Sequence, residues 1–172
     1  MDWAHLHLVL THIPVVGVLF GFGLLVLALL RESRELKLIS LSLFVLVALF
    51  TLLAYLTGEP AEEMVEHLPG VSESIIDRHE EAARLSLVAM GVLGVVSLGS
   101  LLSFRHRQGI PYRLTLIVLT LALLVGGSIA WTANLGGQIR HPEIRTRPVT
   151  GEYPGGSQLQ RVERYEEERE KD

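Results

Sequence analysis

Apolar residues gather into four long blocks, at roughly Leu8–Leu30, Leu36–Thr57, Ala82–Phe104 and Leu114–Leu135. A helix crosses the hydrocarbon core of a bilayer with about 20 apolar residues, and each block meets that length. No Lys, Arg, Asp or Glu stands in the middle of any block, where a charge costs roughly 2.5–3.5 kcal/mol. The pattern predicts an all-α, four-transmembrane-helix bundle with a short extramembrane helical loop and a polar C-terminal tail. Residues 1–139 make the membrane domain and residues 140–172 the tail.

The polar breaks add detail. Gly58-Glu59-Pro60 ends the second block, Pro60–Leu68 reads as a short amphipathic helix, and Pro69-Gly70 stops it. Ser72 or Ser74 then caps a helix that runs through His79 into the third block. Pro14 is expected in the first turn of the first span, with Thr11 or His12 at its cap. Gly17 and Gly21 form a small-xxx-small pair; Gly91, Gly94 and Gly99 punctuate the third span and Gly126-Gly127 the fourth. Such glycines let helices approach closely, within the chain or between copies. Trp3, Tyr55 and Trp131 are placed as interfacial anchors. In the tail, Ser157–Asp172 reads as a charged helix.

Charge sets the expected orientation. The first short loop carries Arg31, Arg34 and Lys37, and the third carries Arg105, Arg107 and Arg113. The other face has Arg78 and Arg84 beside the middle loop and Arg140, Arg145 and Arg147 after the last span. Basic loops stay inside, and N-terminal helices weigh most. Both termini and the middle loop are therefore expected outside, in a prokaryotic inner membrane. The middle loop is acidic and solvated. No basic segment precedes the first block, so it reads as a retained span rather than a signal peptide.

Composition narrows the chemistry. The chain of 172 residues is 49% hydrophobic with no cysteine, which excludes disulfides, thiolate metal sites, iron–sulfur clusters and covalent c-type haem. A net charge of −4 argues against nucleic acid as a partner. No His-Glu-x-x-His, Glu-x-x-His, Gly-x-Ser-x-Gly or phosphate-loop pattern occurs. A stand-alone enzyme is less expected than an electron carrier or a subunit.

Six of the seven histidines, His5, His7, His12, His67, His79 and His141, fall on one face of the predicted bundle; His106 lies in a basic loop. Neutral imidazole ligates haem iron, copper and zinc. His12 and His79 come from different helices at similar depth, and pointing inward they would ligate a b-type haem. His7, His67 and His141 stand in reserve for a second ligand pair or a metal site, and Arg84 and Arg140 are placed to hold propionates. His5 and His12, seven residues apart, share a helix face that His7 does not. The alternative is a copper or zinc site using His12 and His79, or His67, His79 and Glu63. Each histidine has a plainer role as an interfacial hydrogen-bonding group.

His7-Leu8-Val9-Leu10-Thr11-His12-Ile13-Pro14 resembles the His-Pro-x-x-Val-His-Phe-Pro signature of the DUF2231 family of predicted four-span membrane proteins. Thr57-Gly58, His79, and Gly136-Gly137 with His141 continue the resemblance. Leu8 replaces the signature's first proline, and the spacing from Gly137 to His141 is shorter than the family's. The resemblance implies a four-span fold. Through relatives associated with c-type cytochrome modules, it also implies electron transfer. The expected partners are the lipid bilayer, a periplasmic cytochrome, a quinone or a larger respiratory complex, and a second copy of the chain. The second function class is a non-redox membrane protein, either a copper- or zinc-binding module or an accessory subunit.

Overall fold

The computed structural model describes residues 2–104, 109–141 and 144–145. His106 and the charged helix expected at Ser157–Asp172 lie outside the described residues. Five helices follow in order: α1 (Trp3–Leu30), α2 (Arg34–Leu56), α3 (Gly58–Val65), α4 (Glu73–Phe104) and α5 (Tyr112–Arg140). No strand occurs among the described residues. α1, α4, α5 and the run from α2 into α3 are each long and apolar enough to cross a membrane.

The helices form a closed ring. α1 packs on α2, α2 on α4, α4 on α5, and α5 on α1, while α3 lies mainly against α1. The up-down order brings the start of α1, the α2–α4 connection and the end of α5 to one end of the bundle. Polarity is distributed as lipid requires. Large apolar side chains face outward, with Leu19 69%, Val95 72% and Leu124 64% exposed. Phe44, Leu25, Met90 and Leu93 fill the interior together with Ser40, Ser86, Ser97 and Ser100. The buried hydroxyls are tied to helix carbonyls or to one another: Ser40 Oγ donates to Gly21 O at 2.7 Å and Ser100 Oγ to Val96 O at 2.7 Å. Ser97 Oγ alone among the described buried side-chain polar atoms has no partner. Without water to satisfy them, polar groups in a bilayer must pair internally.

Two local expectations change. α1 begins at Trp3, not near Thr11: Asp2 Oδ1 accepts from His5 N at 2.7 Å and caps the helix. Pro14 therefore lies inside α1, buried, and the Leu10 carbonyl loses its usual donor. An aspartate cap satisfies an orphan N–H, and the helical turns from Trp3 to Ile13 add backbone bonds that offset the one lost at Pro14. α3 is also shorter than Pro60–Leu68: it starts at Gly58 and ends at Val65, which leaves His67 beyond the helix. Gly70 takes a φ of +82° at the turn into α4, a conformation glycine adopts without strain. α4 then starts at Glu73 and runs through His79 without a break, as expected.

Candidate functional site

The bundle separates the predicted ligands into three environments. His7 is half-buried and turns toward α2. Its Nδ1 lies 3.0 Å from Ala54 O and 3.1 Å from Thr57 Oγ1. His79 is half-buried and turns toward α5, with Nδ1 3.0 Å from Thr132 O. A carbonyl only accepts, so each Nδ1 carries the proton. In the neutral ring each Nε2 is then a bare lone pair. His7 and His79 lie within electrostatic reach of each other.

The two seats share a design. His7 donates to Ala54 O, and four residues on, a Cβ at Gly58 would stand 3.7 Å from the His7 Cε1. His79 donates to Thr132 O, and four residues on, a Cβ at Gly136 would stand 3.1 Å from the His79 Cε1. In each case one helix supplies an imidazole and the next a carbonyl, and a glycine follows four residues later, at the start of α3 or within α5. Beneath His79 a hydroxyl cluster joins α4 to α5: Ser86 Oγ is 2.6 Å from Ser128 Oγ and 2.9 Å from Thr132 Oγ1. Thr132 Oγ1 donates in turn to Ser128 O at 3.1 Å, so the helix segment that seats His79 is braced from both sides.

His12 does not join this pair. It is exposed on the outward face of α1, and its Nδ1 donates to Leu8 O at 2.6 Å. The inward orientation expected for His12 is thus replaced by that of His7. The reason is rotational: the buried face of α1 carries Pro14, Val18, Gly21 and Leu25, and at 3.6 residues per turn His7 falls on that face and His12 opposite it.

The set His67, His79 and Glu63 is not assembled either. His67 is 89% exposed and pairs with Glu66 at 3.3 Å. Among the described residues no three His, Asp or Glu side chains converge as a metal site. His12, on the outward face of α1, and His79, turned toward α5, point to different surroundings. Arg84 and Arg140 are exposed near the histidine end, and His141 is exposed just past α5.

Other residues at this end escaped sequence reasoning. Arg145 Nε donates to Gln138 O at 2.9 Å, and its Nη2 to Gly70 O at 2.9 Å and Ile139 O at 3.2 Å. It caps the carbonyl end of α5 and ties it to the turn before α4. Glu62 of α3 sits among the like charges of Glu80, Glu66, Asp77 and Glu59, making an acidic rim. A crevice at the opposite end, lined by Leu25, Lys37, Leu41 and Ser100, has no room for a water molecule and lies far from the imidazoles. Comparison with family models, curated proteins and solved structures returns no match for this chain.

Proposed function

We propose that this chain is a membrane-embedded b-type haem-binding electron-transfer protein, in which His7 and His79 would hold the haem. One observation carries the reading. Two imidazoles from different hairpins stand at one end of a membrane bundle, each holding its Nδ1 proton on a helix carbonyl and keeping its Nε2 lone pair. Ligating histidines are held in this way, because the second hydrogen bond selects the tautomer and raises the basicity of the ligating nitrogen. When bound, haem would supply a reversible one-electron couple. The protein's own contribution is to orient the rings and to keep them neutral in partly apolar surroundings.

The basic residues of the α1–α2 and α4–α5 loops favour the histidine end as the outer face of a prokaryotic inner membrane. The acidic rim around Glu62 would steer a cationic redox partner, such as a basic periplasmic cytochrome, toward it; a quinone reaching the same end from the bilayer would be the other source or acceptor of electrons.

Expression in haem-replete cells followed by reduced-minus-oxidised difference spectra tests the proposal. Sharp haem bands are expected, lost in His7→Ala and in His79→Ala and kept in His12→Ala. Absence of haem from the purified wild type would overturn the reading, as would bands that survive both His7→Ala and His79→Ala.

A further inference from the structure

The two hairpins of the bundle match in register. Aligning His7 with His79 sets a shift of 72 residues between α1 and α4. At that shift the buried positions of α1, Pro14, Val18, Gly21, Leu25 and Ala28, fall on Ser86, Met90, Leu93, Ser97 and Ser100, all buried on α4. Aligning Ala54 with Thr132, whose carbonyls hold the imidazoles, sets a shift of 78 residues between α2 and α5. Ser40, Phe44, Val47 and Thr51 then fall on Val118, Ala122, Val125 and Ile129, again all buried, and Gly58 falls on Gly136. Any bundle helix buries a stripe at steps of three and four residues. That alone does not dictate that the shift fixed by the histidines superposes all five buried positions of α1. Nor does it dictate that a second shift superposes carbonyl, glycine and buried stripe together.

Helix packing obeys the same exchange. α1 on α2 corresponds to α4 on α5, and α2 on α4 corresponds to α5 on α1. Both hairpins begin and end at the histidine end, so the exchange is a twofold rotation about an axis running along the helices. We propose that the membrane domain is one hairpin motif used twice in a single chain, with its twofold axis along the membrane normal, and that His7 and His79 serve one group on that axis rather than one group per hairpin. On the haem reading, from which the identity of the group is taken, that means one haem per chain.

Membrane proteins built from repeats place their ligands at the interface between the repeats. Here α1 and α4 hold diagonal places in the ring, and each histidine continues the buried stripe of its helix two turns beyond Pro14 or Ser86. The two rings therefore stand at one depth on opposite sides of the axis. Neighbouring helices 8–10 Å apart put diagonal ones roughly 11–14 Å apart, so a single group on the axis is reached from both sides. Each Nδ1 is spent inside its own hairpin, on Ala54 O or Thr132 O, which leaves Nε2 for a ligand that belongs to neither. The halves differ beneath the seats: Ser86, Ser128 and Thr132 stand where the first hairpin has Pro14, Phe50 and Ala54. The seat of His79 is braced more firmly, and the two seats are compared by ligand content rather than by stability.

Because the chain has no cysteine, His7→Cys/His79→Cys carries two thiols only. A short bis-methanethiosulfonate reagent is expected to bridge them within one chain, read as an intact mass with one linker and no free thiol. The pair His12→Cys/His79→Cys, with position 12 on the outward face of α1, is expected to stay unbridged. Failure to bridge the first pair, or equal bridging of the second, would overturn the shared site whatever group it holds. In the wild type, haem assayed against protein mass is expected to give one haem per chain, and His7→Ala and His79→Ala should each lose all of it. Two haems per chain, with half retained in each variant, would overturn the shared site and leave the haem reading standing. A bridged first pair in a protein that binds no haem would uphold the shared site and overturn the haem reading alone.

Discussion

Gly58 and Gly136 stand in the same relation to the two half-buried imidazoles, yet their tolerances differ. A methyl at Gly136 would come within 3.1 Å of the His79 ring, whereas one at Gly58 would sit at 3.7 Å, an ordinary contact. His79 has little freedom to yield, because its Nδ1 is held on Thr132 O and that turn is braced by Ser86. Gly136→Ala should therefore cost about 1–3 kcal/mol through overpacking, and Gly58→Ala should fall within about 0.5 kcal/mol of wild type. Thermal unfolding in detergent compares them; equal effects would show that His79 is not seated as described. The sequence names the histidines, but which face of a helix turns inward depends on the contacts the other helices offer it. With α1 already helical from Trp3, His7 joins the buried stripe of Pro14, Val18 and Gly21, and His12 lies opposite it.

The same dependence governs the helices as units. Gly17 and Gly21 read as a close-approach pair without saying what approaches. The bundle answers with α2: a Cβ at Gly17 would overlap Val47, and one at Gly21 would overlap Phe44, which is completely buried. Gly94 likewise faces Ala48, at 2.7 Å for an added Cβ. Gly91 and Gly99 on the same α4 meet nothing within 4 Å. Gly21→Ala is expected to destabilise by about 1–3 kcal/mol, since a rigid buried ring must move. Gly91→Ala should be neutral or stabilising by up to about 1 kcal/mol, the helix propensity gained. Detergent unfolding of the two variants checks both signs, and a destabilising Gly91→Ala would place that glycine in an interface between copies.

Across the whole molecule, the histidine end collects the anchored imidazoles, the acidic rim and the Arg145 tie, while the opposite end holds the short basic loops. With no native cysteine, Ser33→Cys and Gly109→Cys report topology without background. Both thiols are expected to react with a membrane-impermeant reagent only after the cytoplasmic side is opened. Labelling of both in intact cells would reverse the orientation and turn the imidazole pair toward the cytoplasm.

Length and polarity of the apolar blocks were enough to determine four spanning helices, their antiparallel order and the gathering of six histidines at one end, because a bilayer tolerates few alternatives for a backbone that must satisfy its own hydrogen bonds. Which histidines turn into the bundle was decided only by the tertiary structure. In lipid the outward and inward faces of a helix are both apolar, so hydrophobic periodicity carries little rotational information. The rotation comes instead from contacts far apart in sequence: Gly21 against Phe44, Ser40 on Gly21 O, His7 on Ala54 O and His79 on Thr132 O.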